Sequence, residues 1–275
     1  MSTQPIYGIP ASVEHWAIAL AAVAAACSLL FCVQRAVRHR SPVPLYLFAA
    51  GGLVVLMEPF CDVLGRATFP ELGTLGWIST LGRHIPMYVG LIYMMYWAPA
   101  WILLGEWFEA GMRPRTFWTI CAVAAAATCA IELVPLHYDL WRYYGSQGVE
   151  LGGFPIWWAF INGQAVVTSS VAVWLLSRLI PRGRRFLLVV ALPPITFGIH
   201  AAGALPGYTA VSSTADRATT WAGVGGSMIV SVVLLWIVSL VACRRAEDPA
   251  QPPVAARVEV DELFRPRPVD MVSGR

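Results

Sequence analysis

The sequence predicts an all-α, polytopic membrane protein: about seven transmembrane helices in one bundle. Three observations predict it. Of the 275 residues, 57% are hydrophobic and only 13% charged, about half the roughly 25% charge of a soluble domain. Apolar stretches of about 20 residues recur along the chain, the length an α-helix needs to cross a hydrocarbon core. The Ala, Leu and Val runs also do not alternate with polar residues, as the strands of a membrane barrel would.

Taken in order, the spans are roughly 13–34, 43–64, 85–108, 116–136, 154–180, 185–205 and 218–243. The first lacks the positive flank of a signal peptide, because Met1 to His15 contains no Lys or Arg. It is expected to remain as a helix. Pro59 lies in the second span, Pro99 interrupts the third and Pro193–Pro194 the sixth, and each removes a backbone donor and can open a kink. Two connections exceed simple turns: Gly65 to His84 with Trp77, and Tyr138 to Phe154 with Trp141, Tyr143 and Tyr144. Their aromatic content suits a headgroup interface or a lid over a cavity. After the seventh span, Pro249, Pro252, Pro253, Pro266 and Pro268 mark 244–275 as a disordered tail. Residues 1–243 form one transmembrane domain.

Arginine sets the orientation. Arg35, Arg38 and Arg40 follow the first span, Arg113 and Arg115 the third, Arg182, Arg184 and Arg185 the fifth, and Arg244 and Arg245 the seventh. The alternate loops are poorer. Basic loops stay in the cytoplasm, so the N-terminus is expected outside and the C-terminus and tail in the cytoplasm. An integral protein of a bacterial plasma membrane is the expected setting. The net charge of +3 is small and points to no nucleic-acid partner. All 19 basic residues are Arg, so neither a retinal Schiff base nor any other covalent Lys chemistry is open to this chain. The six cysteines form no C-x-x-C pair and are read as small hydrophobes.

Glu58, Asp62 and Glu132 are the informative residues, because all three fall inside apolar spans. An ionisable group there costs a few kcal/mol or more unless paired or wetted, and usually faces a bundle interior. Glu58 and Asp62 are spaced i, i+4 and share a helix face. The orientation puts them, Glu132, His84, Asn162 and His200 near the outer ends of their spans. One outward-facing polar site is therefore expected. Trp97, Tyr144, Trp157 and Trp158 are its candidate walls, and Asn162 and His200 its orienting groups.

The motifs exclude some chemistry. The chain has no H-x-x-x-H, H-E-x-x-H or H-x-x-E-H run, no P-loop and no D-D-x-x-D run. No metal or other cofactor is expected, and diphosphate ionisation is disfavoured. Acid–base chemistry remains. A carboxyl group in an apolar slab is harder to ionise, so it can keep a proton near neutral pH and act as a general acid. Aromatic faces can stabilise a developing carbocation.

The stretch Glu132, Trp141, Tyr143–Tyr144–Gly145, Gly153, Pro155, Trp157–Trp158 and Asn162 resembles segments of polytopic carotenoid hydratases and small bacterial lycopene cyclases. Those place a helix-borne acid before a Trp/Tyr–Gly loop and a Gly-x-Pro that opens the next helix. Chain size and the acid in the second span also resemble small integral-membrane terpene cyclases. The resemblance covers about 30 residues and implies metal-independent cyclisation or hydration of an isoprenoid-type lipid held in the bilayer. Glu58 and Glu132 match the acids that start and end the cation cascade. The cyclases' acidic pair after Pro is absent, since Ile156, Trp157 and Trp158 follow Pro155. The rival expectation is a small transporter, channel or structural membrane partner that uses the carboxylates for proton relay or helix pairing. Two features argue against a transporter: inner halves nearly free of polar groups, and no inverted repeat.

Overall fold

The computed structural model describes residues 4–213 and 216–243, so the expected tail at 244–275 lies outside the described residues. Seven helical segments are long and apolar enough to cross a membrane, as the spacing of apolar runs predicts. The helices are α1 (Ala11–Arg38), α2 (Val43–Leu53), α3 (Glu58–Gly65), α4 (Met87–Glu109), α5 (Pro114–His137), α6 (Ile156–Leu179), α7 (Leu188–Ser212) and α8 (Arg217–Ala242). α2 and α3 together make the second segment, and a 3₁₀ stretch, Arg182–Leu187, leads into α7.

The second segment differs from the single helix expected over 43–64. Val54–Met57 is 3₁₀, tightened just ahead of Pro59. Proline has no N–H to offer the carbonyl four residues back, and a 3₁₀ turn is a common way to absorb that loss. Glu58 thus opens a new short helix. The sixth segment runs seven residues past the expected end at 205, through Pro206. Ser227 of α8 meets the backbone beside Pro206: its hydroxyl accepts from Gly207 N at 2.8 Å and donates to Ala204 O at 3.1 Å. Neighbouring hydroxyls re-satisfy backbone freed by proline in this way.

The two long connections form a cap at one end of the bundle. In it lie three two-stranded antiparallel pairs that hydropathy did not foreshadow, because most of their strands are only two residues long. β1 (Ala67–Thr68) pairs with β4 (Arg142–Tyr143), β2 (Gly76–Thr80) with β3 (Arg83–Pro86), and β5 (Glu150–Leu151) with β6 (Phe154–Pro155). The N-terminal segment crosses this cap. Tyr7 donates to Thr68 O at 3.2 Å, and the Arg142 guanidinium lies 4.2 Å from the Tyr7 ring centre.

At the opposite end, Glu106 and Glu109 do not pair with Arg113 and Arg115, the nearest arginines in sequence. Glu106 meets Arg35 of α1 at 2.7 Å, and Glu109 meets Arg178 of α6 at 2.5 Å. These bonds tie α4 to α1 and α6. Between the two ends, Trp101 of α4 donates to the Ser169 hydroxyl of α6 at 2.8 Å. Glycine lets helices approach here as well: a β-carbon on Gly163 would lie 3.2 Å from the backbone nitrogen of Ala125 in α5.

Candidate functional site

Under the cap lies a cavity of about 220 Å³ between α3, α4, α5, α6 and α7. Glu58, Asp62 and Glu132 all line it, with Trp97, Trp158, Asn162 and His200. Seven of the nine residues singled out from sequence therefore meet at one place. Trp157 and Tyr144 do not line the wall. Trp157 is buried behind Trp158 and donates its indole N–H to Gln147 Oε1 at 3.3 Å. Gln147 in turn donates to Gly65 O and Tyr144 O, both at 3.0 Å. Tyr144 points into the cap, where its hydroxyl accepts from Arg83 at 2.7 Å. Of the pairs Trp157–Trp158 and Tyr143–Tyr144, only Trp158 and Tyr143 face the cavity.

Each carboxylate is held differently. Glu58 accepts a short hydrogen bond from the Tyr93 hydroxyl of α4. Glu132 accepts from Trp141 Nε1 at 2.7 Å and from the Tyr143 hydroxyl at 3.3 Å. The β1–β4 pairing sets that clamp by fixing Tyr143 opposite Ala67. Glu132 is therefore engaged by the cap rather than pointing freely to an interface. Asp62 is 1% exposed, and its Oδ2 has no hydrogen-bond partner among the described residues. A buried carboxyl oxygen left unpaired costs of order 1–3 kcal/mol or more. It is a buried acceptor that no side chain among the described residues serves.

A second cluster borders the acids. His200 is 2% exposed, with Nε2 lying 3.1 Å from Asn162 Oδ1. An amide oxygen only accepts, so the proton sits on Nε2 and Nδ1 carries the lone pair. Nδ1 faces the Tyr208 hydroxyl at 3.3 Å and Cys61 Sγ at 3.9 Å. The Trp158 ring centre lies 5.9 Å from those of His200 and Tyr208 and 5.5 Å from that of Tyr143, tilted or edge-on to each. Gly65 makes room for its ring, since a β-carbon there would lie 2.3 Å from the indole.

Sequence reasoning missed Tyr93, Tyr96 and Cys61. A signal for the tyrosines existed: Val89, Tyr93, Tyr96 and Trp97 are spaced i, i+4, i+7, i+8 and all line the cavity, the stripe of one helix face. His84 was expected on the same level but lies in the cap hairpin, bonded to Thr74 at 3.1 Å and Ser79 at 3.2 Å.

Polar groups also continue past the cavity, more than the expected near-absence. Gln164, Ser169, Ser170, Thr196 and Ser231 are all buried. Gln164 Oε1, Thr196 Oγ1 and Ser231 Oγ have no partner among the described residues. No cluster of three or more His, Cys, Asp or Glu that could hold a metal ion occurs among the described residues. The chain matches no protein-family model, no curated protein and no solved structure.

Proposed function

We propose that this protein is an integral membrane enzyme that cyclises or hydrates an isoprenoid-type lipid by acid–base chemistry. The observation that carries the reading is the convergence of Glu58, Asp62 and Glu132 on one aromatic-walled cavity. In this reading the capped end faces outward and the arginine-rich end faces the cytoplasm of a bacterial plasma membrane.

Glu58 is the general acid. Its proton goes to a terminal carbon–carbon double bond of the lipid, and the electron pair of that bond forms the new C–H bond. The resulting cation lies against Trp97, Trp158, Tyr93 and Tyr96, whose faces attract positive charge. In cyclisation a second double bond attacks the cation, and Glu132 or Asp62 removes a proton to close the product. In hydration, water adds to the cation and gives up its proton to the same carboxylate. Asn162 fixes the tautomer of His200, which orients Tyr208 and Cys61 at the floor. Trp157 and Tyr144 act indirectly, by holding Trp158 and the cap.

The test uses the protein in nanodiscs with squalene and lycopene as neutral acyclic probes. Product masses separate cyclisation, which leaves mass unchanged, from hydration, which adds one water. Glu58→Gln is expected to abolish turnover while helix content and unfolding temperature stay as in the wild type. Full activity in that folded variant removes Glu58 from the role.

The unpartnered oxygens of Gln164, Thr196 and Ser231 favour a second reading, a proton relay that extends from the acids toward the other end. Proton flux in proteoliposomes without any isoprenoid turnover would select it.

A further inference from the structure

α5 stands apart from the bundle on one side. It lies along α6, and its backbone stays clear of α4, with the Tyr96 hydroxyl reaching Thr128 between them. The cavity wall between α4 and α5 is therefore made of side chains alone: Ile92, Met95 and Tyr96 from one helix, Thr128 and Ile131 from the other. Ile131 lines the cavity and is also 57% exposed. Ile92, Met95 and Tyr96 line it and are half-buried. Side chains that face a cavity and the outside at once mark an opening. At about 1.5 Å rise per residue, Ile92 and Ile131 lie roughly 8 and 9 Å along their helices from the capped end. Phe69, Trp141 and Tyr143 line the cavity from the cap. The opening is thus lateral, at a depth where a bilayer presents acyl chains.

Size and charge narrow what can use it. A dry cavity of about 150 Å³ holds benzene. The cavity of about 220 Å³ therefore takes one ring-sized group, not a whole long-chain lipid. Its lining carries three carboxyl groups and no arginine, so an anionic headgroup would be buried without a counter-charge.

We propose that the cavity receives one uncharged end of a long-chain isoprenoid through the gap between α4 and α5, while the rest of the chain stays in the bilayer. The proposal rests on the enzyme reading above and adds to it the route, the neutrality of the substrate and the confinement of chemistry to one chain end. The carboxyl of Asp62, which lines the cavity, is the receiving group for a hydroxyl at that end. Ile131 acts as the gatepost.

The experiment uses two photoreactive probes in nanodiscs, geranylgeraniol and its diphosphate ester, each with the diazirine beside the oxygen-bearing carbon, with crosslinked peptides read by mass spectrometry. The alcohol is expected to label peptides containing Met95, Ile131 and Trp158, and the diphosphate about tenfold less. Ile131→Trp is expected to fill the gap and cut labelling of the Trp158 peptide about tenfold. Ile131→Ala should retain it, and both variants should unfold at the wild-type temperature. Equal labelling by the two probes, or unchanged labelling in Ile131→Trp, overturns the proposal. Labelling that obeys these rules without any turnover keeps the portal and removes the enzyme reading instead.

Discussion

α5 and α6 are both 24 residues long and are joined by the cap loop, yet they occupy opposite situations. Within its most apolar stretch, α6 is 61% buried and α5 only 11%, although α5 is the more hydropathic of the two. The difference teaches that an apolar run in a membrane protein says a segment can cross, not that it is central. Lipid is as apolar as leucine, so burial follows the residues that lipid cannot serve. α6 carries Asn162, Gln164, Ser169 and Ser170, and the bundle closes around them. α5 turns Val123, Ile131 and Val134 outward and keeps Thr128 and Glu132 for the cavity.

Mutations on the two faces of α5 should separate the seated side from the lipid side. At Gly163 a β-carbon would already crowd the Ala125 backbone of α5, so Gly163→Leu should overpack the contact. A loss of about 1–3 kcal/mol is expected, read as a drop in unfolding temperature in detergent. Val123→Leu on the exposed face of α5 should change stability by less than about 0.5 kcal/mol. If the two variants behave alike, α5 is not seated on α6 as described. The smallest effect is expected where α5 runs into the cap. There Arg142 hydrogen-bonds Asp139 at 2.7 Å with both side chains about half exposed. That bond holds the Asp139 carboxyl below the usual range. A depressed carboxyl stabilises the fold above its unfolded pKa and loses that contribution as pH falls through the folded value. Acidification below about pH 4 should therefore remove a small increment from the wild type and none from Asp139→Asn. Solvent screening keeps this under about 1 kcal/mol, and an equal acid response in both proteins would remove the bond from the account.

The spans were legible because twenty-residue apolar runs have few other uses. Their ends were less so. The 3₁₀ stretch before Pro59 is one of several ways a chain absorbs a proline, and the backbone beside Pro206 meets Ser227, which is not adjacent to it in sequence. Glu58, Asp62 and Glu132 were legible as a set because a carboxyl group is conspicuous in an apolar span. Of their partners, Tyr93 was legible only as part of a helix stripe with Tyr96 and Trp97, and nothing local says which carboxylate it meets. Trp157 and Trp158 show the limit most clearly. Neighbours in sequence, they split between support and wall, and only the position of Gln147 decides which is which. The opening beside α5 had no sequence signal at all, because it arises from a contact that is missing.

The central claim is that an acid in this cavity gives its proton to a lipid carbon. The most direct measurement is turnover of a neutral acyclic isoprenoid by the protein in nanodiscs prepared in D₂O, with the product analysed by mass spectrometry and NMR. The account predicts one deuterium bonded to carbon at the terminal unit of the product, absent with Glu58→Gln. Product with no solvent-derived deuterium on carbon, or deuterated product undiminished in Glu58→Gln, would contradict it.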